Sequence, residues 1–202
     1  MRLVLASASP RRRELLAAAS IDVDVDPVAV DEERVGTEAP DAYVERVARL
    51  KAAAGAARHP GRVVLGADTA VVVDDEVLGK PRDAADARAM LQRLAGRDHE
   101  VMTGVAIAAD GRVTSFVERT RVWMAPISAA DIQAYIDTGE PFDKAGAYAI
   151  QGGAGRFVAR FDGSYTNVVG LPLERLIEEL RQVAPHDPDS CRHDPRGGIL
   201  SD

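Results

Sequence analysis

Several things this sequence lacks narrow what it can be. A single cysteine, Cys191, excludes an intrachain disulfide framework and fits a reducing compartment. No apolar stretch is long enough to span a bilayer, and the opening MRLVLASASPRRRELL holds too short an apolar run for a signal peptide. The expectation is a cytoplasmic protein with no membrane partner. Basic residues are in deficit, 25 Lys and Arg against 32 Asp and Glu, for a formal charge of -7. That balance argues against a general nucleic-acid binder and leaves room for a local basic pocket. There is no internal repeat, and the spacing of His186, Cys191 and His193 matches no zinc motif.

What is present is enough for a sizeable core. The 202 residues are 46% hydrophobic with 17 Gly and 11 Pro, which suits one domain or two closely joined lobes cut by many turns. The most informative run is Gly66 to Pro81, GADTAVVVDDEVLGKP. Arg62 to Leu65 reads as a buried strand entering Gly66, Ala70 to Val73 as a second, and Asp74-Asp75 as the turn into Glu76 to Leu78. Asp68 then stands at the mouth of a very apolar segment, where a carboxylate is costly without a partner. A cation, a water to activate or a backbone cap would each account for it, the cap being the plain structural alternative. Gly79-Lys80-Pro81 puts an ammonium on a loop stiffened by proline. It is not a P-loop, which needs Gly where Asp74 stands and Ser or Thr where Pro81 stands. A hairpin closing at the aspartates brings Asp68 and Lys80 to the same end of neighbouring strands.

Around this centre, Arg2 to Ala6 reads as a strand, and Ser9-Pro10 as the N-cap and first position of a helix with Leu15, Leu16 and Ala19 inward. Ser7, Ser9, Arg11, Arg12 and Arg13 gather at that helix start. Arginines there oppose the helix dipole, so a bound anion explains them better than a solvated basic turn. Ile21 to Asp26 reads as a half-exposed strand before an acidic loop, Asp31-Glu32-Glu33. From Pro40 an amphipathic helix carries Lys51 on its apolar stripe; the stem either snorkels outward or the ammonium points into a cleft. Asp83 opens a helix, Glu100 to Ala108 and Arg112 to Met124 form a scaffold hairpin, and Ser128 with Asp131 forms a capping box. GEPFDKAGAYAIQGGAG reads as a charged loop, an apolar strand and a Gly-rich turn holding Gln151, after which Phe157 to Phe161 continues the sheet and Pro172 opens the last helix. Residues 1–184 are expected to form the domain and 185–202 a disordered tail.

Five of these stretches occur in an order that resembles one family: Ser7-Ala8-Ser9-Pro10-Arg11-Arg12, Gly66-Ala67-Asp68-Thr69, Gly79-Lys80-Pro81, Asp143 to Tyr148 (DKAGAY) and Ile150-Gln151-Gly152. Together they resemble the Maf family of nucleoside triphosphate pyrophosphatases, from about Arg2 to Val183. The Arg11, Thr69 and Gln151 trio resembles the branch acting on dTTP and UTP. The resemblance implies an elongated α/β fold like that of the inosine triphosphate pyrophosphatases, with a twisted mixed sheet and two lobes flanking a cleft. It implies hydrolysis of a nucleoside triphosphate to the monophosphate and pyrophosphate with a divalent cation, Mg²⁺ or Mn²⁺, in the cytoplasm. It makes Asp68 the proton acceptor, Arg11, Thr69 and Gln151 specificity positions, and Ser7, Arg12, Glu32, Lys51 and Lys80 polar positions of the cleft. Glu32 and Asp68 are expected to share the cation, one of whose waters attacks the α-phosphorus. A homodimer is left open. The other reading is a nucleotide-binding regulator, since the family name is also linked to arrested septum formation.

Overall fold

Helix starts follow from local capping. In the computed structural model, which describes residues 3–183, the Asp83 carboxylate accepts from the Asp86 amide at 2.8 Å and the Ser128 hydroxyl from the Asp131 amide at 3.1 Å, as their sequence positions predict. Ser9 precedes the first helix with extended backbone and no side-chain cap bond, leaving Pro10 to set the first turn. The tail expected over 185–202 lies outside the described residues.

In chain order the elements are β1 (Leu3–Leu5), α1 (Pro10–Ala18), β2 (Val23–Val25), α2 (Pro40–Arg58), β3 (Val64–Val73), β4 (Glu76–Leu78) and α3 (Ala84–Leu94). There follow β5 (Asp98–Ala109), β6 (Arg112–Met124), α4 (Ala129–Asp137), β7 (Val158–Asp162), α5 (Tyr165–Val169) and α6 (Leu173–Val183). Among the described residues the strands make one mixed sheet of seven, in the order β2-β1-β3-β5-β6-β7, with β4 also on β3. The β1–β2 and β1–β3 pairs are parallel and the rest antiparallel.

Two sequence expectations fail here. The expected break between Leu65 and Ala70 does not exist: β3 is continuous, and Asp68 sits within it opposite Gly104. This excludes the cap reading. The glycines in this region serve packing instead, because a Cβ on Gly66 would lie 2.3 Å from the Ala48 carbonyl oxygen, and one on Gly104 2.3 Å from that of Val44. Both strands are bare there so that α2 can lie directly on them. The apolar strand expected before Gln151 is also absent. Gly146 and Ala147 take φ of 66° and 59°, which no strand accommodates, and the segment is built of short 3₁₀ turns at Glu140–Asp143, Ala145–Ala147 and Gly153–Phe157.

Side chains of β3 alternate between two layers. Val64, Ala70 and Val72 face α2 and meet Val44, Ala48 and Ala52. Leu65 and Ala67 face the opposite layer with Leu15, Leu16 and Leu176, and Val71 and Val73 continue it toward Leu91 and Ile132 of α3 and α4. The sheet has an opening between these two groups. Strand β1 pairs with β3 only as far as Leu65, and β4 takes up the same edge at Val71. Between them Gly66 to Ala70 is paired on one side only, by β5.

Candidate active site

At that opening lies a cleft of about 680 Å³, lined from one side by β1's exit, α1 and α2, and from the other by the Gly79-Lys80 turn and the Asp143 to Gln151 segment. Leu65 and Val63 direct their carbonyls to β1, so by strand alternation Ala67 and Thr69 turn their backbone groups the same way, into the opening. Asp68 points to the α2 layer and Thr69 to the other, which gives the cleft two chemically different walls.

On the Asp68 wall, Lys51 reaches in from α2. Its ammonium lies 2.8 Å from Asp68 Oδ1 and 2.8 Å from Glu32 Oε1. The lysine side chain is 9% exposed, that of Asp68 12% and that of Glu32 54%. Of the sequence's two alternatives for Lys51, the inward one holds, and of the three neighbouring acids Glu32 is the one paired with it. Tyr43 also lines this wall. Burial, reinforced by the Asp68 and Glu32 carboxylates, pushes its hydroxyl up to about 12, so it stays protonated.

On the Thr69 wall, Arg12 is 8% exposed and is gripped by neutral acceptors. Nε donates to the Gly170 carbonyl at 2.8 Å, Nη1 to Ser7 Oγ at 2.9 Å and Nη2 to Thr69 Oγ1 at 3.0 Å. Desolvation lowers its pKa, with the Asp68 charge opposing. The Thr69 hydroxyl is 3.0 Å from that of Thr103, which itself donates to the Asn167 carbonyl at 3.2 Å. One hydroxyl proton and its lone pairs are thereby committed within the protein. The basic turn inferred from Arg11-Arg12-Arg13 divides accordingly: Arg12 is buried, Arg13 is exposed, and Arg11 lines the cleft with its guanidinium 3.4 Å from Asp143 Oδ2.

The far rim carries Lys80 and Gln151, both exposed and lining the cleft. The β3–β4 pairing Val71↔Leu78 continues toward Thr69 and Lys80, so the hairpin does bring Lys80 to the Asp68 end. The turn bearing Gln151 is fastened from outside: Glu140 accepts from Tyr135 Oη at 2.9 Å and from the Gly153 amide at 3.0 Å. Behind Tyr148, His99 is 2% exposed with Nε2 2.7 Å from the tyrosine hydroxyl. Burial takes this histidine down to about 4, so it is neutral. Sequence reading missed Tyr43, Thr103, Asn167, Tyr148 and His99. An asparagine ahead of Val168-Val169 was the one available signal, whereas His99 stands between Asp98 and Glu100 and gave none.

The Asp68 and Glu32 carboxylates converge on one ammonium, a donor set that suits a hard divalent cation completed by substrate phosphates. Among the described residues no group of three or more His, Cys, Asp and Glu side chains could hold a metal alone. None of their helices is long and apolar enough to cross a membrane.

A family model described as Maf-like protein matches residues 2–183. The chain is 55% identical over 185 residues to a dTTP/UTP pyrophosphatase of Geobacter metallireducens, covering 90% of this chain and 96% of that one. It is 54% identical over 182 residues to one of Vibrio cholerae, covering 90% and 97%. Among solved structures the Staphylococcus aureus Ham1 protein has a similar fold, with a TM-score of 0.52 at 16% identity over 90% of this chain and 99% of that one.

Proposed function

This chain belongs to the Maf family, and we propose that it is a nucleoside triphosphate pyrophosphatase that hydrolyses dTTP and UTP to the monophosphate and pyrophosphate. The observation that carries the reading is the pair of carboxylates, Asp68 and Glu32, fixed on Lys51 at the edge of an opening in the sheet whose other sides offer cations. In this reading Asp68 is the catalytic residue. The carboxylate oxygen that Lys51 leaves free accepts a proton from a water attacking the α-phosphorus, and the bond from that phosphorus to the bridging oxygen breaks as pyrophosphate leaves. Arg11 and Lys80 meet the triphosphate directly, and Arg12, with Ser7, adds a buried positive charge that has no carboxylate bonded to it. Lys51 holds the Asp68 side chain in one orientation.

Glu32 and Asp68 would hold the divalent cation, Mg²⁺ or Mn²⁺, together with phosphate oxygens. When bound, it supplies Lewis-acid neutralisation of phosphate charge. We place the reaction in the cytoplasm, with neither nucleic acid nor membrane as partner. No observation favours the regulator reading over the enzyme.

Base selection falls to Gln151, to Arg11 and to the Thr69 segment, whose backbone faces the opening. Uracil and thymine present two carbonyls flanking an N–H, which an amide side chain and backbone groups can match. Cytosine replaces one acceptor by a donor and leaves a group unpaired, enough for roughly tenfold to hundredfold discrimination. The test is kcat/KM for dTTP, UTP, CTP and GTP with pyrophosphate as the measured product. The expected order puts dTTP and UTP first, and Gln151→Glu should disturb it. Equal rates on all four would remove the specificity assignment, and no pyrophosphate from any would remove the enzymatic one.

A further inference from the structure

Lys51 occupies the place between two carboxylates where a cation would be expected. Its ammonium is 2.8 Å from an oxygen of each, and its side chain is almost wholly enclosed. Withdrawal is hindered by the backbone behind it: Gly66 and Gly104 admit α2 so closely that a Cβ at either would meet helix carbonyls at 2.3 Å. The lysine stem therefore starts from a fixed point.

The charges along the cleft point the same way. Five cationic side chains, Arg11, Arg12, Lys51, Lys80 and Lys144, line it against four carboxylates. A bare divalent cation entering this lining meets a formal excess of positive charge, and at the carboxylates an ammonium that already offsets one of their two negative charges. A cation arriving on a triphosphate comes as part of a net anion, for which the same lining is attractive.

We propose that Lys51 acts as a resident counter-ion that keeps the divalent cation out of the free protein, so that cation and nucleotide enter together. This deepens the pyrophosphatase reading and rests on it for the nucleotide. In the free protein the ammonium holds Glu32 and Asp68 converged; in the complex it retains one oxygen of Asp68 while the incoming charge is shared among the carboxylates and phosphates.

The experiment is titration with Mn²⁺ followed by electron paramagnetic resonance, on the full chain, with and without a dTTP analogue whose α,β-bridge is a methylene group. Wild type should bind Mn²⁺ weakly alone and on the order of tenfold or more tightly with the analogue present. Lys51→Met should bind Mn²⁺ alone about tenfold or more tightly than wild type does, with the gain abolished by adding Glu32→Gln. Lys51→Arg, which keeps the charge, should bind it as weakly as wild type does. Mn²⁺ binding to nucleotide-free wild type as tight as in the analogue complex overturns the proposal. So does a folded Lys51→Met protein with unchanged or weaker Mn²⁺ affinity. Where the Met variant does not fold, Lys51→Gln, which also removes the charge, takes its place with the same expected gain. An analogue that does not bind at all strikes at the pyrophosphatase reading instead, and Mn²⁺ alone on wild type and Lys51→Met still judges Lys51.

Discussion

Strand β3 buries a cation on each of its faces, and the two are held in opposite ways. Lys51, on the Asp68 face, is bonded to two carboxylates. Arg12, on the Thr69 face, is bonded to a carbonyl and two hydroxyls and to no acid. A buried ammonium between two carboxylates is a closed arrangement that another cation joins only when phosphates arrive with it. A buried guanidinium whose bonded acceptors are all neutral keeps its charge available across a low-dielectric wall, and that charge favours an anion. The same depth of burial thus produces a site for the reacting groups on one side and a site for phosphate on the other.

The most severe way to break the comparison is at Asp68. Asp68→Asn keeps the shape of the side chain while removing the base, and turnover should fall by a factor of roughly 10² to 10⁴ with the fold preserved. Near-normal pyrophosphate release from a folded variant would assign the proton acceptor elsewhere.

A buried group that carries no charge serves as the control for the two that do. His99 titrates at about 4 when folded against 6.5 when exposed, because burial penalises its cation more than the nearby Asp98 supports it. Between those values the unfolded chain takes up a proton that the folded chain refuses. Its contribution is therefore complete above the unfolded value and lost as pH falls toward 4, by about 3 kcal/mol over the interval. Thermal melts of wild type should show falling stability from about pH 7 to about pH 5, with a shallower slope in His99→Gln. Identical slopes would show that other groups carry the acid sensitivity.

The mildest change sharpens the Arg12 side. Thr69→Val removes the acceptor for Arg12 Nη2 and leaves the volume, so KM should rise roughly tenfold for dTTP, UTP and CTP alike, and Thr69→Ser should restore it. An altered ranking of the three in Thr69→Val would mean that the hydroxyl reads the base itself.

How far the sequence discloses these two walls depends on the range over which each contact is made. Caps at Asp83 and Ser128 are settled within three residues, and both were legible. The Asp74-Asp75 turn was legible too, as paired aspartates between apolar runs, and both take positive φ in the structure. Gly66 misled because a glycine that admits a neighbouring helix looks the same in sequence as one that turns the chain. Lys51 could be recognised as misplaced on an apolar stripe, whereas the direction of its ammonium depends on how closely α2 approaches the sheet. From residue chemistry alone Arg12 could not be separated from Arg11 and Arg13, since its partner Gly170 lies 158 residues away; only the family resemblance gave the three different places. The apolar run after Lys144 read as a strand from its composition, and left-handed backbone at Gly146 and Ala147 overrides that preference.

The central claim is that the Asp68 wall activates water toward the α-phosphorus while the cationic side holds the departing pyrophosphate. Hydrolysis of dTTP in water labelled with heavy oxygen, with mass spectrometry of both products, tests it most directly. The account predicts label in dTMP and none in pyrophosphate. Label in pyrophosphate, or release of orthophosphate with dTDP, would contradict it.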